Sequence, residues 1–189
     1  SQTIYTAADL TAAGLSAGSI TSLAYNTTTL GDGATNANLK VMIGTIATTT
    51  FGSTTFESTT GYTSVYGPAT YTHTASGWQT IAFSTPFVWD GVSNIVINMT
   101  HDGADATNNS QTYYTATTDN KTIWKNSYTG ATTSGTFSLN RLDIRFSVGS
   151  TTASWAPTTD LYSDANATVP YTGANATTVY VKPAASGMT

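Results

Sequence analysis

The sequence predicts an all-β protein: an antiparallel two-sheet sandwich followed by a small or incomplete β unit. Three observations carry this expectation. Thr (42) and Ser (19) make up close to a third of the 189 residues, and 11 Tyr join them, a composition suited to a pleated, half-buried surface. Only 8% of residues are charged, and Glu57 is the single Glu among ten acids. Long helices lean on Glu, Lys, Arg and Leu, so a helical bundle is excluded. Finally, apolar residues recur with period 2 in short runs separated by turn signals.

Taken in order, Thr3 to Thr6 reads as a weak strand. Ala7 to Gly18 carries Leu10, Leu15 and five alanines but is broken by Gly14, leaving room for one helical turn. Ser19 to Thr27 is a weak strand. In Leu39 to Ile43, one face holds Leu39, Val41 and Ile43. Tyr62 to Tyr66 is weaker. In Gly77 to Thr85, Gln79, Ile81 and Phe83 oppose Trp78, Thr80 and Ala82. In Asn94 to Thr100, Ile95, Ile97 and Met99 oppose Val96, Asn98 and Thr100. Gln111 to Thr117 and Thr122 to Ser127 are further weak strands. Phe137 and Leu139 sit on odd positions, whereas Leu142, Ile144, Phe146 and Val148 sit on even ones; the parity switch at Asn140-Arg141 predicts a bulge or bend. Gly31-Asp32-Gly33, Gly67-Pro68, Asp90-Gly91, Asp102-Gly103 and Thr129-Gly130 supply the turns. The expected core is Leu23, Tyr25, Leu39, Val41, Ile43, Ile81, Phe83, Ile95, Ile97, Leu142, Ile144 and Phe146.

Composition shifts after Val148. The expected organisation is a sandwich domain over 1–149, a linker over 150–153 and a partial β unit over 154–189. The tail holds Trp155-Ala156-Pro157, Leu161-Tyr162 and Thr177 to Val181, and no Cys staples it. A unit this small cannot bury a stable core alone. It must pack on the first domain, be completed by another chain, or continue in a longer protein.

Charge and hydropathy remove whole classes of function. With six Lys plus Arg and a net charge of −4 there is no basic stripe for nucleic acid. No apolar run reaches the ~18 residues of a helical membrane span. The start at Ser1, with no leader or initiator Met, reads either as a trimmed chain or as a mature, processed one. Few lysines, no thiols and abundant Thr suit a secreted bacterial surface protein.

Candidate sites are few. His73 and His101 lie in Thr-rich strand ends and read as solvated; no GxSxG elbow accompanies them. Paired carboxylates for glycoside hydrolysis would have to come from scattered turn Asp residues. Asp102-Gly103-Ala104-Asp105, with Asn108 and Asn109, offers hard oxygens in one loop, so Asp102 and Asp105 are the candidate ligands of a structural Ca2+. The competing reading is a turn in which Asp and Asn bond their own backbone. Trp78 and Trp89 read as core residues. Trp124 with Tyr113-Tyr114 reads as an aromatic platform for glycans, whose C–H faces stack on rings. Lys40 reads as strand surface rather than an isopeptide donor. The six Asn-x-Ser/Thr sequons are no more than this composition produces by chance.

Several segments together resemble a known module. They are Ile4-Tyr5-Thr6-Ala7-Ala8-Asp9-Leu10, Ile20 to Asn26, Leu39 to Gly44, Gly77-Trp78-Gln79-Thr80-Ile81 and Thr85-Pro86-Phe87-Val88-Trp89-Asp90-Gly91. The chain resembles the jelly-roll-like β-sandwich module of Bacteroidetes surface and adhesin proteins exported by the type IX system. The tail, from Trp155 through Thr178-Val179-Tyr180-Val181-Lys182-Pro183, is similar to the start of the Ig-like repeats that follow such modules. The resemblance implies an extracellular, cell-surface location and architecture more than activity.

The function expected is therefore a non-enzymatic structural or adhesive module of a surface protein or filament, needing no cofactor. Its partners would be copies of itself or neighbouring repeats. Trp155, Leu161, Val179 and Val181 would form an apolar face open to a donated strand, and Ser1 to Thr6, carrying Ile4, would be the donor. Head-to-tail contacts of that kind build filaments. The alternative is a carbohydrate-binding module using surface glycans as ligands.

Overall fold

The structure is a computed structural model that describes residues 1–31, 35–102, 108–126, 133–149, 155–174 and 176–181. The chain divides into two units, Ser1–Gly149 and Ser150–Thr189. The first contains β1 (Gln2–Tyr5), α1 (Ala7–Ala12), β2 (Gly18–Thr29), β3 (Thr35–Ile46), β4 (Thr63–Thr72), β5 (Gly77–Trp89) and β6 (Asn94–Asp102). Shorter strands follow: β7 (Gln111–Thr112), β8 (Tyr114–Ala116), β9 (Thr122–Trp124), β10 (Thr136–Ser138), β11 (Asn140–Leu142) and β12 (Ile144–Val148).

The protein is an all-β antiparallel sandwich. One sheet has the order β10-β9-β1-β6-β3-β4; the other runs β12-β2-β5, with β7 also on β2, and a ribbon joins β11 to β8. The single helix among the described residues is six residues long. The Thr6 hydroxyl caps it by accepting from the Asp9 N–H, and the Asp9 carboxylate accepts from the Thr6 N–H. Gly14, at φ +89°, turns the chain out of it.

Two apolar layers form, one on each face of the six-stranded sheet. Its inner face presents Tyr5, Leu39, Val41, Ile43, Ile95 and Ile97 to Ile20, Leu23, Tyr25, Ile81, Phe87 and Trp89 of the second sheet. Its outer face presents Ile4, Val96 and Ile123 to Phe51 and Phe56 from the β3–β4 connection. The central strands are thus covered on both sides, which the run Ile95-Val96-Ile97 reflects. Gln2, fully buried, fastens the cover: its side-chain amide donates to the Glu57 carbonyl (2.9 Å) and accepts from the Glu57 N–H (2.8 Å). Gly44 permits close approach at the same layer, because a Cβ there would lie 2.2 Å from the Tyr62 ring.

Several expectations are corrected. Phe83, Leu142, Ile144 and Phe146 are half-buried rather than fully buried, since they border the core. The parity switch at Asn140-Arg141 marks more than a bulge. The chain leaves one sheet at β10, passes through the β11 ribbon and enters the other sheet at β12. Trp78 is not a core residue. It lies on the solvent face of β5, and the Arg145 guanidinium stacks 4.3 Å from its ring centroid. Ile4 is not presented to another chain: β1 is paired with β6 on one side and β9 on the other, and all four of its residues are buried.

The second unit pairs β13 (Leu161–Tyr162) with β14 (Tyr180–Val181). Its buried apolar residue, among those described, is Tyr171, whose hydroxyl accepts from the Trp155 N–H (3.0 Å) and donates to the Ala174 carbonyl. Trp155 and Val181 are exposed, and Leu161 and Val179 are half-buried.

Candidate ligand cleft

A cleft of about 270 Å³ opens among residues of both sheets. Its floor is apolar core: Tyr25, Leu39, Ile81, Met99 and Leu142. Its polar wall is built where strands run past that core. β4 supplies Tyr71 and the segment just after it supplies His73; β6 supplies His101, β3 Asn36 and β7 Thr112. Trp124, at the end of β9, the following Lys125, and Ser1, whose amino group donates to the Met99 carbonyl, complete the lining. Trp124 is 44% exposed, so its ring is available to a ligand. The volume lies just under the ~300 Å³ where drug-sized sites begin, which suits one ring-sized group with the remainder of a chain outside.

Burial shifts His73, Tyr71 and Tyr25 in this cleft. His73 stands against the Tyr71 ring, centroids 5.1 Å apart and edge to face. Burial pushes its imidazole below the usual histidine value, and its Nδ1 is buried without a hydrogen-bond partner among the described residues. Burial raises Tyr71, with the nearby Tyr66 adding to the shift. Tyr25 is raised further, first by burial and then by Tyr71. No carboxylate is found among the described lining residues.

The structure brings together only part of the aromatic platform expected from sequence. Trp124 lines the cleft; Tyr113 and Tyr114 are exposed but do not. His73 and His101, read as merely solvated, converge there. A sequence signal for His101 did exist: the face that carries Ile95, Ile97 and Met99 continues by period 2 to His101. Of the calcium candidates, Asp102 is exposed and its Oδ2 accepts from the Asn38 side chain at 2.7 Å. Asp105 lies outside the described residues. Among the described residues, no three His, Cys, Asp or Glu gather as a metal-binding group. Likewise, no helix among them is long and apolar enough to cross a membrane.

A second cleft, about 450 Å³, runs between α1 with its exit turn and edge strand β12. Its charges are spoken for within the fold. Asp9 pairs with Arg141, Arg141 lies over the Tyr5 ring, and Asp143 accepts from the Thr115 hydroxyl. Burial opposes the Asp9 charge, but the Thr6 hydroxyl and Arg141 prevail and hold its carboxyl below the usual range. Compared with known protein families, curated proteins and solved structures, the chain finds no match.

Proposed function

We propose that this chain is a non-enzymatic, extracellular adhesive module of a bacterial surface protein, and that it adheres by holding a glycan in the Trp124 cleft. The observation that carries this reading is the half-exposed Trp124 ring beside an apolar floor and a wall of imidazole, amide, hydroxyl and ammonium groups. Sugars need that combination: C–H faces stack on an aromatic ring while hydroxyls bond convergent polar groups. The resemblance to Bacteroidetes type IX surface modules supports the location. Strand donation by Ser1 to Thr6 is no part of the reading, because β1 is committed to its own sheet.

The test is a broad glycan array probed with the native chain, Trp124→Ala and Trp78→Ala. Saturable binding lost in the first variant and kept in the second supports the reading, since Trp78 lies on the outer sheet face. Absence of glycan binding, or equal binding by all three proteins, overturns it.

A further inference from the structure

The charge distribution narrows the ligand class further, given the glycan reading. The protein is acidic, with ten Asp plus Glu against six Lys plus Arg. Its cleft is the reverse. The ionisable side chains among its described lining are His73, His101, Lys125 and two tyrosines, with no Asp or Glu. The acid nearest in sequence, Asp102, is not part of that lining and is engaged by the Asn38 amide.

The other described cations are used within the fold or lie elsewhere. Arg141 pairs with Asp9, Arg145 stacks on Trp78, Lys121 donates to the Thr49 carbonyl at 2.7 Å, and Lys40 sits within β3. Lys125 has no such partner among the described residues and stands at the cleft beside Trp124. His73 brings an imidazole whose buried Nδ1 has no protein partner among the described residues. A buried polar atom left in that state is costly unless something outside the protein satisfies it.

From this juxtaposition we infer that the ligand is an acidic sugar, whose carboxylate or sulfate meets Lys125 and the two imidazoles while its ring stacks on Trp124. An anionic group supplies acceptors to donors that otherwise lack them, and charge-assisted hydrogen bonds are the strong ones. The surrounding negative charge of the molecule then acts against anions that cannot reach the cleft, which favours selectivity over general anion binding.

The test uses the whole chain against an array holding neutral, carboxylated and sulfated glycans, followed by titration with an oligogalacturonide and its methyl ester. The expected result is binding confined to acidic glycans. The carboxylated and sulfated arms identify which anion is preferred. Lys125→Gln should weaken the best ligand about tenfold, the scale of one charge-assisted bond, and added salt should weaken it too. His73→Gln should weaken it as well without loss of folding. If neutral glycans bind as tightly as acidic ones, and Trp124→Ala still abolishes binding, the glycan reading stands and the acidic one falls. If no glycan of any class binds, both fall.

Discussion

At the residue scale, Gln2 shows how much one polar side chain can hold. Its amide reproduces the two hydrogen bonds a neighbouring strand would make with Glu57, and also reaches the Asn98 side chain at 3.2 Å. Gln2→Ala strands the Glu57 N–H and C=O at a covered site, so it should cost about 1–3 kcal/mol. A lowered denaturation midpoint with an unchanged slope would confirm that; an unchanged midpoint would refute it. Nothing in the sequence marks Gln2 as buried, because a polar residue at a strand start reads as surface until its partner is known. His73 makes a second prediction. Its folded imidazole lies below the ordinary value of 6.5, so the folded state favours the neutral ring. The stability this contributes is present above pH ~6.5 and is lost as pH falls from there toward the lowered folded value. His73→Gln should flatten that part of the stability–pH curve between pH 8 and 5, as followed by thermal melting. An identical slope in the variant would show that His73 is not linked to folding.

At the element scale, β1 is the strand on which both apolar layers depend. Tyr5 faces the inner cluster and Ile4 the outer one, and both edges of the strand are paired. Ile4→Ala should therefore cost about 2–5 kcal/mol, the range for a large-to-small change in a packed core. Removing Ser1 to Thr6 should unfold the first unit rather than release a monomer from a polymer. A folded, stable product of that deletion would contradict the pairing described here. Period 2 made the inner face legible in β3, β5 and β6, where runs are long and one side is uniformly apolar. The outer layer was not legible, since Phe51 and Phe56 are lone aromatics in Thr- and Ser-rich chain with no period at all. Their burial exists only because the β3–β4 connection folds over Ile4, Val96 and Ile123. Strands of two or three residues, such as β7 to β11, are likewise too short to carry a pattern; pairing partners define them. The candidate cleft lies between these cases. Trp124 and its neighbour Lys125 were visible in sequence, whereas His73 and His101 come from two other chain segments that only the sheets bring beside them.

At the scale of the whole molecule, the two units differ in what holds them. Ser1–Gly149 contains both apolar clusters, all the strands of both large sheets and every described residue lining the cleft. Among its described residues, Ser150–Thr189 shows one two-residue strand pair, a turn in which Asp164 accepts from the Thr168 and Val169 N–H groups, and Tyr171 as its buried apolar side chain. Burying one aromatic contributes only about 1.5–3 kcal/mol. A segment of this size with no cysteine, and with one buried apolar side chain among its described residues, lacks the burial that ordinarily holds a fold. A chain ending at Gly149 should therefore keep the main melting transition and the glycan binding of the full chain. The isolated 150–189 peptide should give a far-UV spectrum of unfolded chain. Calorimetry of the three proteins decides the matter. Equal transitions for the full and shortened chains place the stability in the first unit, where both apolar clusters lie. A large drop in melting temperature on shortening would mean that the second unit contributes stability its own contacts do not account for, and the two would then have to be treated as one cooperative fold.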